Sequence, residues 1–418
     1  MRRCFVRCRV SGGGRRTSYF WLKPDGTIIL LTVAHFRRIL FNRTETFLYN
    51  YLTSFQRIKT VAITFQKAHL NSFPYTRPIV ELYSWTPWCE FYRRVKSRLI
   101  SSELTYDLPS TYQALKSYKA RILHAHFGYT GAQVLSVKRK TGLPLVTTFY
   151  GEDVSALANT EKWYQAYQQL FVAGDLFLVE GSHMRQRLIG IGCPPEKIAI
   201  QRIAILLDRY PFRERPPKAS HESVHILFCG SFREKKGLLY ALEAVRRAAE
   251  VYPNITFRII GDGQLRPQVE HIIDRYHMQS YTTLLGFRSH EDMIREMQLA
   301  DIFIHPSVTA ANGDSEGGAP TTILEAQACG LPVLSTMHAD IPNIVIPGGS
   351  ALLAAERDVE ALSSHLCTLI KEPERWREMG LKGRVWVEHN HAIGPAVARL
   401  EDHYFALQQA SASLEKNP

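Results

Sequence analysis

Residues 313–332 read Gly-Asp-Ser-Glu-Gly-Gly-Ala-Pro-Thr-Thr-Ile-Leu-Glu-Ala-Gln-Ala-Cys-Gly-Leu-Pro, an acidic, glycine-rich loop running into a short helix. Pro320 suits a first helical turn, because the amide it lacks would go unpaired there. Gly330, followed by Leu331-Pro332, ends the helix about three turns later. A helix amino end behind Gly317 and Gly318 offers free N–H groups and a positive dipole end, which together suit a phosphate. The segment Gly317-Gly318-Ala319-Pro320-Thr321 is therefore a candidate anion cradle. Glu325 falls a turn or more inside the helix, where a carboxylate can reach sugar hydroxyls. The combination points to a nucleotide diphosphate sugar.

A second set of residues has chemistry of the same sign. His225-Ile-Leu-Phe-Cys229 leads into Gly230-Ser-Phe-Arg-Glu-Lys-Lys-Gly237. A glycine turn carrying Arg233, Lys235 and Lys236 at a strand end can neutralise a diphosphate, and a solvated basic turn is the plainer reading. Gly261-Asp262-Gly263 is a tight strand-to-helix turn of a kind that is mostly structural. His305-Pro306-Ser307 ends another strand, and His305 is expected to pack in its loop. In the first half, His124-Ala-His126 and Tyr150-Gly151-Glu152-Asp153 follow apolar strands. We expect His124 in the core, His126 in a cleft where it can bond a sugar or phosphate, and Asp153 positioning a hydroxyl. Thr44-Glu45 reads as a helix amino terminus, with Thr44 as cap and Glu45 in the first turn. Contact of Glu45 with an acceptor is the alternative.

These residues need elements to hold them. Apolar runs predict strands at 28–34, 59–64, 121–126, 144–149 and 175–180, then at 224–229, 255–260, 281–285, 301–305 and 332–336. Helical periodicity fills 45–55, 110–119, 130–141, 183–191, 237–251, 264–278, 290–299 and 356–371. Such alternation gives parallel sheets covered on both faces by helices. The proline-rich, charged stretch 208–222 breaks the pattern as a linker. The predicted organisation is a loose extension over 1–26, a doubly wound domain over 27–207, the linker, a second doubly wound domain over 223–395, and a C-terminal helix over 396–418. Ligands would sit at strand carboxyl ends facing a central cleft.

At 418 residues the chain is too long for one ordinary core. An apolar share of 45% and a charged share of 22% describe a globular protein. The seven cysteines are scattered and odd in number, which argues against a disulfide framework or a zinc site and for the cytoplasm. The net charge of +12 is uneven: residues 1–215 carry 32 basic against 14 acidic groups, and 216–418 carry 19 against 25. A basic first half suits an anionic surface, and equally plain solubility. Trp85-Thr-Pro-Trp88 and Phe91-Tyr-Arg-Arg-Val-Lys-Ser-Arg98 suit a membrane interface, or a packed helix with a charged face. No apolar run is long enough to span a bilayer. No nucleic-acid-binding module accompanies the charge, so nucleic acid is not an expected partner.

The motifs Lys236-Gly237, Gly261-Asp262-Gly263, His305-Pro306-Ser307, Glu316-Gly317 and Leu324-Glu325-Ala326-Gln327-Ala328-x-Gly330-Leu-Pro332 occur in order. That series resembles the donor-binding domain of retaining GT-B glycosyltransferases of family 4. Ser335-Thr336-x-His338-x-Asp340-Ile341-Pro342 and the Gly-Gly-Ala-Pro loop resemble the colanic-acid and exopolysaccharide branch. The resemblance covers about residues 28–400 and implies a GT-B fold of two Rossmann-like domains. It implies that Lys236 and the backbone of 317–320 hold the donor diphosphate, with Arg233, Gly261, Asp262 and Thr321 lining the donor side. It gives Glu325 the ribose hydroxyls and Glu316 the donor sugar. The family usually places seven residues between these glutamates, and here there are eight. It commonly has arginine where this chain has Ser231, and histidine where it has Tyr150. Tyrosine is a poor general base at neutral pH, so a backbone role at Tyr150 survives better than a proton-transfer role. His126 and Tyr150 join Lys236 and Glu316 as candidate catalytic residues, with Asp153 and Glu45 on the acceptor side.

The implied activity is retaining transfer of a hexosyl group from a nucleotide diphosphate sugar to a lipid-linked glycan in cell-surface polysaccharide synthesis. No metal or other cofactor is expected, and the location would be cytoplasmic, peripheral at the inner face of the plasma membrane. An epimerase of the same architecture and a non-catalytic nucleotide-sugar-binding subunit are the alternatives.

Overall fold

The structure is a computed structural model that describes residues 5–9, 17–22, 28–29, 31–42, 45–82, 106–219, 221–318 and 320–414. The strands are β1 (Phe5–Arg9), β2 (Thr17–Leu22), β3 (Ile28–Ile29), β4 (Leu31–Leu40), β5 (Ile58–Lys67), β6 (Ile79–Glu81), β7 (Ile122–His126), β8 (Leu145–Thr148), β9 (Leu176–Val179) and β10 (Ile198–Ile200). They continue with β11 (Val224–Cys229), β12 (Ile255–Ile260), β13 (Thr282–Gly286), β14 (Ile302–His305), β15 (Val333–Thr336) and β16 (Ala351–Ala354).

One sheet has the order β10-β9-β8-β7-β4-β5-β6, and another has β13-β12-β11-β14-β15-β16. Every pairing in the second is parallel, as are those from β8 to β6 in the first. In each, the strand order reverses beside the first strand, at β4/β7 and at β11/β14. Such a reversal leaves a crevice at the strand carboxyl ends. The strands there are mostly apolar and almost wholly buried, as a sheet covered on both faces requires.

The ten predicted strands are all present, β11 and β12 with the predicted ends and the others with shifted ones. The first differs most: Ile28–Ile29 pairs with β2, and the sheet strand begins at Leu31. The predicted loose extension instead contains β1 and β2, which pair antiparallel and are joined by β3 just beyond it, because Thr17-Ser-Tyr-Phe-Trp-Leu22 is rich in residue types suited to strands. Strands β6, β10 and β16 were not predicted, since three or four residues carry too little periodicity. Trp85, Trp88, 91–98, Thr44 and Ala319 lie outside the described residues.

The chain divides into two compact units. The first holds residues up to Thr148, Gln169–Phe177 and Val397 onward. Within it Glu401 accepts hydrogen bonds from the Gln56 and Arg57 amides and from the Arg57 side chain. The second unit holds Phe149–Gln168 and Leu178–Ala396. The stretch predicted as a linker is anchored to this unit by the buried Tyr210 and Arg215, while most of its other described residues are exposed. Arg215 is only 1% exposed, and its guanidinium donates to the carbonyls of Met297, Ala300 and Cys329. Those carbonyls lie at or just past helix ends, where they lack helical partners, and the arginine fork supplies donors for them.

Candidate active site

The second unit collects most of the predicted site at the carboxyl ends of β11 and β14. β11 ends at Cys229, and the chain turns through Gly230 and a one-turn helix, Glu234–Lys236, before the helix Leu238–Val251. Gly237 makes this turn possible: its φ is +70°, and a Cβ there would stand 1.7 Å from the Pro306 carbonyl oxygen. Gly261 is likewise fixed by its neighbour, since a Cβ would fall 1.9 Å from the Gly230 carbonyl oxygen. The loop after β14 is held by Ser335 Oγ on the His305 carbonyl and by the Thr336 hydroxyl on that of Ser307.

Two acidic residues of this loop meet the three basic residues of the turn. Lys236 Nζ lies 2.7 Å from Glu316 Oε2, and Ser307 Oγ donates to Oε1 at 2.9 Å. Lys235 Nζ donates to Asp314 Oδ1 at 2.9 Å and to the Ser315 carbonyl, while Arg233 reaches Asp314 Oδ2 at 3.2 Å. Burial pushes the Glu316 carboxyl upward, but Lys236 and the other groups around it together hold it well below the usual carboxylate range. His305 stacks on Phe228 and gives Nδ1–H to the Cys229 carbonyl, the packing role expected of it. Burial pushes its ring below the ordinary histidine value, and its Nε2 stands 3.8 Å from Glu316 Oε1.

The helix after the loop is Thr321–Ala328, two turns rather than the predicted three, with Pro320 at its cap position. Glu325 is 3% exposed and accepts the Tyr210 hydroxyl at 2.7 Å, and that hydroxyl also meets His290 Nε2 at 2.9 Å. Burial lifts the Glu325 carboxyl to about 7, against the pull of the Tyr210 hydrogen bond. Tyr210 and His290 are not legible as site residues along the chain, because a tyrosine in a proline-rich stretch carries no site signal.

Gly317 and Gly318 are held in tight contacts. Gly317 has φ +72°, and a Cβ there would lie 2.3 Å from the Gly151 Cα. A Cβ on Gly318 would meet Glu180 Oε2 at 1.7 Å. Thus the turn at Tyr150-Gly151 lies against Glu316-Gly317 through backbone, and its shape comes from Asp153, whose Oδ1 accepts the Tyr150 and Gly151 amides. Asp153 is fully buried, which corrects its expected role of positioning a ligand hydroxyl. Asp262 is half-buried, accepts the Gly263 amide and pairs with Arg266.

In the first unit His124 is in the core, as expected, but His126 is buried too, at 3% exposure. The expectation that the pair would point apart was mistaken: residues i and i+2 of a strand share a face. Their rings lie 4.3 Å apart, and His35 Nδ1 sits 3.1 Å from His126 Nε2. The three imidazoles are close enough to hold a metal ion, yet both nitrogens of His124 are already bonded, to Tyr404 and Thr148. Glu45 occupies the cap position of the helix Thr46–Ser54 without a capping bond from its side chain. Instead its carboxylate takes Arg37 in a buried, two-pronged pair, at 3.0 and 2.5 Å.

The chain is similar to known proteins in sequence and in fold. Residues 212–386 match the model of the glycosyl transferases group 1, and residues 87–205 that of glycosyltransferase family 4. The chain is 33% identical over 282 residues to a protein of Escherichia coli K12 named for colanic acid biosynthesis, with 66% of this chain and 68% of that one covered. It is 36% identical over 256 residues to AmsK of Erwinia amylovora, an amylovoran biosynthesis glycosyltransferase, covering 61% of this chain and 62% of that one. Its fold is similar to that of Anabaena Alr3699/HepE, solved with UDP and glucose, at a TM-score of 0.70 and 13% identity over 90% of this chain and all of that one. A sucrose-phosphate synthase of Thermosynechococcus elongatus gives a TM-score of 0.69 at 15% identity, over 91% of this chain and all of that one. The fold is GT-B. The chain belongs to the glycosyl transferases group 1, in glycosyltransferase family 4.

Proposed function

We propose that the protein moves a hexosyl group from a nucleotide diphosphate sugar to a sugar hydroxyl of a lipid-linked glycan, with retention, in exopolysaccharide synthesis. The observation that carries this is the meeting of Lys236, Ser307 and Glu316 at the β11/β14 strand ends, beside the helix amino end at Thr321. In the reaction the bond from the anomeric carbon to the β-phosphate oxygen breaks, and a bond to the acceptor oxygen forms. The acceptor proton passes to the departing phosphate. Charge develops on that phosphate, so preorganised cations and amide dipoles stabilise the transition state most. Lys236, Arg233 and the first amides of the helix supply them, and turnover should persist in EDTA. In this reading Glu325 binds the ribose hydroxyls and Glu316 the donor sugar.

The named relatives in colanic acid and amylovoran biosynthesis support the polymer class, and HepE, solved with UDP-glucose, supports a nucleotide-sugar donor. Among the described residues no helix is long and apolar enough to cross a membrane. A lipid-linked acceptor would therefore be met at the bilayer surface, through the basic first half of the chain. The experiment is a thermal-shift screen of UDP- and GDP-hexoses, followed by proton NMR of the product with added acceptor. A product retaining the donor's anomeric configuration supports the reading. Interconversion of the nucleotide sugar without acceptor would make the protein an epimerase, and binding without turnover a non-catalytic subunit.

A further inference from the structure

The loop carrying Glu316 follows β14 and has no helix or strand over the described residues 306–318, so its shape depends on a few bonds to firmer elements. Two of those bonds come from one pair of side chains. His338 follows β15, and Glu356 follows β16; the two are linked through Nδ1 and Oε1 at 2.6 Å. The backbone there is tied to the sheet by the Met337 amide on the Ala354 carbonyl. From this platform Glu356 Oε2 takes the Thr309 amide at 2.8 Å, and His338 Nε2 takes the Glu316 amide at 3.1 Å. The pair thus grips both limbs of the loop.

The partners fix the chemical state of the ring. A carboxylate only accepts, so the proton sits on Nδ1; a backbone amide only donates, so Nε2 holds a lone pair. This is one tautomer of the neutral imidazole, and His338 is 1% exposed. Glu356 stays ionised to hold it: burial pushes its carboxyl up, but the Thr309 amide and His338 together keep it below the ordinary value. A carboxylate orienting a histidine that in turn orients a working group is a recurrent device.

We propose that His338 and Glu356 are a positioning dyad for the transfer step: they orient the Glu316 peptide, and through it aim the Glu316 carboxylate at the donor sugar. The inference rests on the function proposed above. Neither residue is a catalytic residue. A displacement of about 1 Å in a reacting group can cost on the order of 100-fold in rate. The dyad should therefore appear in kcat, while a nucleoside diphosphate, held by other groups, should bind almost unchanged.

Two substitutions separate positioning from mere packing. His338→Gln places a carbonyl oxygen near the Nε2 position and can still accept the Glu316 amide. His338→Asn reaches only as far as Nδ1 and can bond Glu356 alone. We expect His338→Ala and His338→Asn to lose roughly 10- to 100-fold in kcat on whichever UDP- or GDP-hexose the wild type uses. His338→Gln should recover to within about fivefold of wild type. Affinity for UDP or GDP, measured by calorimetry, should change less than about threefold in all three. Deuterium uptake by peptides covering 308–318 should rise in the Ala and Asn variants and return toward wild type in Gln. Equal behaviour of Asn and Gln, or wild-type turnover in His338→Ala, overturns the proposal. Should the wild type bind neither UDP nor GDP and turn over no nucleotide sugar, the functional reading has failed instead. Amide uptake then decides the dyad alone, and no difference between Asn and Gln sinks it.

Discussion

Lys236 Nζ and Glu316 Oε2 lie 2.7 Å apart although 80 residues separate them in the chain. The lysine expected to meet the donor diphosphate and the glutamate expected to meet the donor sugar are thus partners of each other. Their side chains are 18% and 6% exposed, so the turn is far less open to solvent than a run of bases suggests. The pair ties the phosphate turn to the sugar-side loop, and neither can be altered without affecting the other.

Lys236→Ala should abolish turnover and also destabilise the fold, because it strands a buried carboxylate. Breaking such a pair costs roughly 3 kcal/mol. Adding Glu316→Gln should restore most of the melting temperature without restoring activity. Calorimetric scans of wild type, both single variants and the double variant measure this coupling. Additive losses would show that the contact is energetically idle.

Glu325 makes stability depend on pH. Its carboxyl titrates near 7 when folded, against an ordinary value of 4.5, because burial disfavours the charge. A raised acid pKa contributes stability that is fully present below the unfolded value and lost as pH rises through the folded one. The window is therefore about pH 4.5 to 7, and the loss is about 3 kcal/mol. Glu325→Gln should flatten that window, with a higher melting temperature than wild type at pH 8 and a similar one near pH 4.5. Tyr210→Phe removes the hydrogen bond that lowers this pKa, so it should move the inflection upward. An unchanged profile in both variants would contradict the assignment.

Gly237→Ala tests the turn itself. The added methyl meets the Pro306 carbonyl, and φ of +70° is strained for alanine. A loss of at least about 2 kcal/mol is expected. UDP and GDP affinity should fall with it, since Lys236 is the preceding residue. Wild-type stability would mean that the turn relaxes freely.

The histidines of the first unit set an acid limit. Burial holds His124 at about 3 and keeps His35 and His126 well below 6.5, so all three stay neutral when folded. A lowered base pKa gives stability that is present above 6.5 and lost as pH falls, because only the unfolded chain takes up protons. His35→Phe should move the acid unfolding midpoint, followed by circular dichroism, to lower pH. A midpoint shifted upward would show that the His35–His126 contact is worth more than the avoided protonation.

The sequence by itself determined the alternation of strands and helices, the glycines at Gly237, Gly317 and Gly330, and the ordered motifs that name the family. These are local: a strand is legible from its apolar run, and a turn from the residue its backbone demands. Edge strands of three or four residues, such as β6 and β10, escaped because so few residues carry no period. Only the tertiary structure decided which charges meet. Lys236 finds Glu316 and Tyr210 binds Glu325 because the fold brings segments 80 and 115 residues apart together. No spacing along the chain encodes those distances. Burial, too, is a tertiary property: it separated two similar glutamates into one held well below its ordinary pKa and one raised to about 7. The difference is the basic groups around Glu316, Lys236 foremost, which Glu325 lacks.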